Sequence, residues 1–356
     1  MDHKEIHLPE DALPHDSVIE WWYFNGNLRD KDGNRYAFMD CLFRADAKRV
    51  NIPILKQPFK NFKDIPYVYS GHSIVSDIDR QKSHKDLHTI SLMSRDSFTR
   101  PMLYANYLNQ LDVDGFSTSE MAETEKGAFH IKTERMDLYL RSGGKPILHG
   151  KGGTISFWGR ESRYYSITDL HADGVINVEG EWVRVKGKAW MDHQWTDAGY
   201  RKDKWTWFSV QLNSGMDIMC AEYEVDRVKN YFLTVIDQNR RVRRYEHFSM
   251  VSGKDAWESK KTKAKYPTSW TVKIPEEDIE LDIRSDASDQ EMIFGDINYW
   301  ESPTIVSAAV GKKRIKGVGF MELVGYPSDY NALILAGKNL NTRIQEQAVA
   351  LFKKVF

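Results

Sequence analysis

A chain of 356 residues and 41.4 kDa exceeds what one ordinary core supports and points to two domains. Its 28% charged and 41% hydrophobic residues exclude a disordered chain, and 50 Lys+Arg against 51 Asp+Glu, a net charge of -1, exclude a global field that would gather nucleic acid. No run approaches the ~20 apolar residues that cross a bilayer.

The first 16 residues are polar and lack the apolar stretch of a secretory leader. Cys41 and Cys220 are too few for a disulfide framework, so a reducing, cytoplasmic location is the expectation. A leader already removed would leave the same sequence. His3, His7 and His15 are scattered over an end read as mobile. Short runs rich in β-branched and aromatic residues follow at 36–43, 72–77, 88–93, 154–158, 182–185, 205–212, 216–223, 231–236 and 269–274. Turn chemistry separates them, as in Asp32-Gly33-Asn34, Ser142-Gly143-Gly144 and Asn213-Ser214-Gly215. Evenly spaced short strands joined by tight turns predict an all-β sandwich or barrel. One helix is predicted, 341–356, where Ile344, Ala348, Leu351, Phe352 and Val355 recur at helical spacing. Its short apolar stripe suits a barrel wall, with weak membrane association as the alternative use.

An internal repeat sets the domain count. Trp21-x-x-Phe24-x-x-x-Leu28 recurs as Trp205-x-x-Phe208-x-x-x-Leu212, each followed by a turn with glycine and a strand with a cysteine. Val185-Lys186-Gly187-Lys188-Ala189-Trp190-Met191-Asp192 recurs as Ile315-Lys316-Gly317-Val318-Gly319-Phe320-Met321-Glu322. The offset is 184 residues for the opening strand (205 against 21) and 130 for the closing strand (315 against 185). A barrel closes by pairing its first and last strands, which accounts for these two being the clearest signals. The reading is two antiparallel β-barrels, 1–200 and 201–340, with the helix at 341–356.

Aromatic residues, 11 Trp, 17 Tyr and 16 Phe, build β cores and line pockets for apolar ligands. In Trp190-Met191-Asp192-His193-Gln194-Trp195, alternate side chains share a face, so Trp190, Asp192 and Gln194 point one way. If that face lines the barrel interior, Asp192 lies among aromatics, loses hydration and keeps its proton near neutral pH. Such an acid can protonate a weak base, even an alkene. A turn cap or a salt bridge at a strand end is the competing reading. Glu20, beside Trp21, Trp22 and Tyr23, is a buried acid or base or an exposed residue preceding a strand. Tyr164 and Tyr165 add two phenols, and His72 reads as a satisfied core histidine. His84-x-x-x-His88 has a metal-ligand spacing only on a helix, whereas the segment reads as turn and strand. Gly150-Lys151-Gly152-Gly153 reads as a hairpin turn, and the basic runs at 240–244 and 260–265 as solvated hairpin tips. No Gly-x-Ser-x-Gly elbow is present.

Glu20-Trp21-Trp22-Tyr23-Phe24-x-Gly26-x-Leu28, Tyr164-Tyr165-Ser166, Gly187-x-Ala189-Trp190-Met191-Asp192-His193-Gln194-Trp195, Trp205-x-Trp207-Phe208 and Gly319-Phe320-Met321-Glu322-Leu323-x-Gly325-Tyr326 together resemble the lipocalin-like AttH family, over about residues 8–326. That family is related to carotenoid 1,2-hydratase (hydroxyneurosporene synthase), kievitone hydratase and some fungal Diels–Alderases. The resemblance implies two calycin-type barrels side by side and an Asp, here Asp192, that protonates an alkene. Trp190 stands where the carotenoid enzymes resemble Tyr-x-Asp, so a hydroxyl is missing and carotenoid specificity is in doubt. The expected enzyme is a hydratase, cyclase or isomerase acting on an isoprenoid- or polyketide-like substrate without metal or other cofactor. In it Asp192 is the acid, His193 and Glu20 assist it, and Trp21, Tyr23, Tyr165, Trp190, Trp207 and Glu322 surround the substrate. A non-catalytic lipocalin-like carrier of an apolar ligand is the alternative.

Overall fold

A computed structural model of the chain describes residues 5–50, 66–110, 116–157, 159–199, 204–225, 228–294 and 297–326. The helix expected at 341–356 lies outside them. Strands dominate, as the turn-punctuated runs predict. The first twelve are β1 (Ile19–Arg29), β2 (Arg35–Asp46), β3 (Tyr67–Asp77), β4 (Lys82–Met93), β5 (Tyr104–Gln110), β6 (Phe116–Glu125), β7 (Ala128–Lys132), β8 (Met136–Ser142), β9 (Ile147–Leu148), β10 (Thr154–Phe157), β11 (Arg160–Val178) and β12 (Glu181–Thr196). They pair antiparallel in the order β11-β12-β1-β2-β3-β4-β5-β6-β7-β8, and β8 returns to β11. A ten-stranded barrel closes in this way, with β9 and β10 attached to β11 outside the ring.

The second sheet contains β13 (Trp205–Leu212), β14 (Asp217–Val225), β15 (Val228–Ile236), β16 (Val242–Tyr245) and β17 (Ser249–Ser252). After a separate ribbon of β18 (Ala256–Glu258) and β19 (Lys265–Pro267) come β20 (Ser269–Ile274), β21 (Ile279–Ser285), β22 (Glu291–Phe294), β23 (Ile297–Val310) and β24 (Lys313–Val324). Its order is β16-β15-β14-β13-β24-β23-β21-β20-β17, with β22 beside β23. Among the described residues no pairing joins β16 to β17. The sheet is therefore open where a second closed barrel was expected, its two end strands being only four residues long.

The two copies of the repeat have equivalent registers in the two sheets. Trp21 pairs with Gln194 and Tyr23 with Asp192 across β1 and β12. Their counterparts Trp205 and Trp207 pair with Val324 and Glu322 across β13 and β24. The cysteines are not counterparts: Cys41 pairs with Tyr23 and Cys220 with Phe208, so they point to opposite kinds of face and remain free thiols. Glycine is required where the closing strands crowd. A Cβ on Gly319 would lie 1.9 Å from the Ser209 carbonyl oxygen, and one on Gly187 2.0 Å from that of Asn27. Gly150, Gly152 and Gly153 all have positive φ and form the predicted tight turn, where Lys151 bridges to Thr154.

Of the four apolar clusters among the described residues, the three largest follow from strand alternation. Trp22, Phe24, Phe38, Tyr165, Met191 and Trp195 fill the barrel. Phe208, Val210, Ile218, Trp270, Trp300 and Met321 pack together on one face of the second sheet. The third cluster lies between the sheets and takes Tyr23, Tyr164 and Trp190 from the barrel's outer face with Trp205, Trp207 and Phe320 from the second sheet. β12 shows the change along one face: Arg184 and Lys186 are exposed, whereas Trp190, Asp192 and Gln194 are buried. Polar bonds join the sheets as well, including Asn27 Nδ2 to the Gly319 carbonyl (3.1 Å) and Gln211 Nε2 to the carbonyls of Thr168 (2.6 Å) and Ala189 (3.0 Å). No helix among the described residues is long and apolar enough to cross a membrane.

Candidate active site

The face of β12 that carries Asp192 looks outward from the barrel, into the seam between the sheets. The expectation of a barrel-interior site is corrected here: residues 191, 193 and 195 face the barrel core, and 190, 192 and 194 face the second sheet. The outer wall becomes a dry environment because the second sheet covers it. A cavity of about 160 Å³ opens there. Trp21, Tyr23, Tyr164 and Asp192 line it from the barrel, and Trp205, Trp207, Tyr299, Glu301 and Glu322 from the second sheet. No Lys or Arg is among the described lining residues.

Asp192 is 4% exposed and its carboxyl is pushed up to about 7, because burial removes the hydration its charged form needs. Hydrogen bonds from Ser166, Trp190 and Tyr164 partly offset that rise. The Trp190 indole N–H donates to Oδ1 at 2.8 Å, and the Ser166 hydroxyl donates to the same oxygen. Ser166 is the cross-strand partner of Asp192 on β11, just before a bulge at Ile167/Leu170. Trp190 thus stands behind the carboxyl as a donor, edge-on to Trp207 (6.4 Å, 81°), and not on the cavity wall where a substrate-facing ring was expected.

Glu301 and Glu322 are cross-strand partners on β23 and β24. Glu322 is raised to about 8 by burial and by the nearby Asp192 carboxyl. Glu301 is raised well above the usual carboxylate range by burial and by Glu322, although the Tyr23 hydroxyl donates to its Oε2 at 2.8 Å. Three carboxyls that favour their protonated form therefore share one aromatic cavity. The Trp207 indole N–H donates to the Tyr164 hydroxyl at 3.2 Å. His72 Nδ1 meets the Tyr299 hydroxyl at 2.6 Å, and burial pulls this imidazole down to about 3, so it is neutral.

Of the residues expected around the substrate, Trp21, Tyr23, Trp207 and Glu322 meet Asp192 in this cavity, whereas Glu20, His193 and Tyr165 do not. These three occupy the barrel's inner face, since they alternate with Trp21, Asp192 and Tyr164 along their strands. There His193 Nε2 lies 2.9 Å from Glu20 Oε1, and the Tyr165 hydroxyl 3.3 Å from His193 Nδ1. Burial raises Glu20, but hydrogen bonds and charge from His15 and His193 outweigh it and hold the carboxyl down at about 2. Arg44 closes the network at 2.7 Å from Oε2. His15, on the end read as mobile, is stacked on Trp195 at 3.8 Å with its Nδ1 2.8 Å from Glu20. Ligand atoms of His15, Glu20 and His193 fall within 4.8 Å of one another. Glu20 nevertheless already accepts from both imidazoles, from Arg44 and from the His15 backbone N–H. Its lone pairs are spent on an internal charge network, which does not fit a cation beside Arg44.

Sequence reasoning missed Glu301, Tyr299 and His149. Trp300-Glu301 repeats the acid-beside-indole signal that singled out Glu20, so Glu301 was within reach. His149 follows a two-residue strand and carries no such signal.

A closed barrel and a second antiparallel sheet that enclose an acid-lined aromatic seam define a lipocalin-like, all-β class of fold. The AttH-like family model matches residues 1–326, and the chain belongs to that family. A solved structure of a putative AttH protein from Nitrosomonas europaea is similar, with TM-score 0.73, 23% identity and coverage of 92% of this chain and 99% of that one. Kievitone hydratase from Nectria haematococca gives TM-score 0.70 at 16% identity, covering 90% and 93%, respectively. CghA, solved with Sch210972, gives 0.57 at 11%, covering 88% and 89%. In sequence, the dehydratase asqC of Emericella nidulans is 24% identical over 164 residues, and the match spans 43% of this chain and about half, 47%, of that protein.

Proposed function

We propose that the seam is an active site in which Asp192 protonates a carbon–carbon double bond of an apolar, isoprenoid- or polyketide-like substrate. The observation that carries this reading is a carboxyl raised to about 7 in an aromatic cavity with no Lys or Arg among its described lining residues. The proton leaves Asp192 for one alkene carbon, and the π pair forms the new C–H bond. The cation left on the other carbon faces the rings of Trp21, Tyr23 and Trp207, whose quadrupoles stabilise it. Water then forms the C–O bond, and its surplus proton returns to Asp192, now a carboxylate, which restores the starting state. An internal alkene in place of water gives cyclisation, and the reverse sequence is dehydration. Glu301 and Glu322, held protonated, donate hydrogen bonds that place the water or a substrate oxygen. Relatives named as a hydratase and a dehydratase support the same reaction class.

The test starts with mass spectrometry of small molecules extracted from the purified protein. The recovered compounds are then incubated with wild type and Asp192→Asn in ¹⁸O-labelled water. Label entering a hydroxyl, loss of an unlabelled hydroxyl as water, or an isomeric cyclised product is expected with wild type and not with the variant. Equal turnover by the variant would overturn the assignment of Asp192. A ligand bound tightly and returned unchanged by wild type would make the chain a carrier.

A further inference from the structure

His149 lies behind Asp192 and belongs to neither the cavity wall nor the barrel-core network. It follows β9, and its backbone N–H donates to the Tyr164 carbonyl at 3.1 Å. Its ring packs 4.1 Å from that of Tyr164. Nε2 lies 2.6 Å from the Ser166 hydroxyl, and Nδ1 lies 2.9 Å from the Thr234 hydroxyl on β15. His149 and Ser166 are wholly buried, and Thr234 is nearly so. A continuous chain thus runs from the second sheet through Thr234, His149 and Ser166 to Oδ1 of Asp192.

The direction of each hydrogen bond follows from the donor inventory. The Ser166 hydroxyl has one proton and gives it to Asp192. Its oxygen must therefore accept from His149, which puts the imidazole proton on Nε2. Burial, with the charge of Arg244, holds this ring neutral at about 3, so Nδ1 is an acceptor and takes the Thr234 proton. The Trp190 N–H, which can only donate, meets the same Oδ1. Both lone pairs of Oδ1 are then engaged; Tyr164 is the remaining donor to the carboxyl, and Oδ2 is the oxygen left to carry a proton.

We infer that His149 is a positioning residue for Asp192: acting through Ser166, it locks Oδ1 as an acceptor and leaves Oδ2 to present the proton to the cavity. This inference rests on the reading of Asp192 as the acid. The other titratable groups that face the carboxyl are Tyr164, Tyr23 (the cross-strand partner of Asp192) and, across the cavity, Glu322. A hydroxyl that donates to the carboxylate favours the ionised form, and a donor behind that hydroxyl polarises it further.

The experiment is a ¹³C NMR titration of aspartate carboxyls between pH 5 and 9, with Asp192 assigned by its loss in Asp192→Asn. It compares wild type with Ser166→Ala, His149→Leu, His149→Gln and Thr234→Val. Loss of the Ser166 hydroxyl is expected to raise the Asp192 pKa by about one unit, a roughly tenfold change in the proton equilibrium. His149→Leu shifts it the same way by a smaller amount, and His149→Gln, whose amide can donate to Ser166, restores the wild-type curve. Thr234→Val removes one hydroxyl isosterically and keeps the test open if His149→Leu fails to fold; it too raises the pKa. An unchanged titration in His149→Leu, or in Thr234→Val if that variant must stand in for it, beside a shifted one in Ser166→Ala would overturn the role of His149. So would identical curves throughout. No substrate is needed, so failure here is distinct from failure of the alkene-protonation reading, which the labelled-water experiment reports.

Discussion

Replacing Asp192 by Asn isolates the energetic consequence of burying a carboxyl in the seam. Asn has the shape of the protonated acid, and its amide oxygen still accepts from Trp190 and Ser166. In the unfolded chain Asp192 titrates near 3.8, whereas in the folded protein it titrates at about 7. A folded pKa raised in this way contributes stability below the unfolded value and loses it as pH rises through the folded one. Each unit is worth about 1.4 kcal/mol, so the roughly three-unit rise corresponds to about 4 kcal/mol over the whole window. Most of that window lies between pH 5 and 8. Across it the unfolding free energy of wild type should fall by about 3 kcal/mol relative to Asp192→Asn. Urea unfolding of both proteins by tryptophan fluorescence, at pH 5, 6, 7 and 8, measures the difference. The variant should gain on wild type up to pH 7 and then hold level. A difference that stays constant from pH 5 to 8, or that grows in favour of wild type, would refute the argument that this carboxyl is buried without a compensating charge.

Turnover of an identified substrate should be highest below pH 7 and fall above it as Asp192 ionises; Trp190→Phe, which removes a donor to the carboxylate, should move that limb up by about one pH unit, read from kcat against pH. Glu20→Gln leaves the buried Arg44 guanidinium without its carboxylate and should cost about 3–5 kcal/mol in urea unfolding, while the Asp192 carboxyl titration stays in place. Because the folded pKa of Glu20 is depressed to about 2 from 4.5, its contribution is present above pH 4.5 and is lost as pH falls through that interval, which acid unfolding of wild type and Glu20→Gln reads directly. Gly319→Ala would press a methyl group against the Ser209 carbonyl and should lower stability by about 1–3 kcal/mol, measured as a shift in the urea midpoint.

Strand alternation alone separates Trp190, Asp192 and Gln194 from Met191, His193 and Trp195, and the repeat alone matches Tyr23 with Trp207 and Asp192 with Glu322, whereas the registers that join Tyr23 to Asp192 and Trp207 to Glu322 come from the structure. The side on which each face ends up is not legible in the same way. A barrel interior and a covered outer wall select the same aromatic residues, and only the placement of the second sheet tells them apart. Tyr164 and Tyr165 illustrate the point. They are neighbours on β11 with opposite faces, and the phase is set by the pairing of Ser166 with Asp192, a long-range fact that spacing does not carry. Glu20 and His193 read as acid chemistry because a carboxylate, an imidazole and indoles recur near them, yet the Arg44 guanidinium that neutralises Glu20 comes from another strand, β2.

The repeat also bears on why the acids sit where they do. Asp192 and Glu322 occupy equivalent places on equivalent strands, as do their partners Tyr23 and Trp207. When two copies of one closing-strand pair pack outer face to outer face, each contributes its carboxyl to the same dry seam. Neither sheet alone would bury its own acid, since the outer face of an isolated barrel is wet. The raised pKa of Asp192 is thus a property of the contact between the sheets. A substitution that loosens this contact without touching the cavity, such as Gln211→Leu, which removes two hydrogen bonds to barrel carbonyls, should lower the Asp192 pKa toward that of a solvated carboxylate. Carboxyl NMR of that variant decides the matter. A pKa unchanged near 7, with the inter-sheet contact demonstrably weakened by faster amide exchange along β13, would mean that the barrel by itself keeps this carboxyl dry.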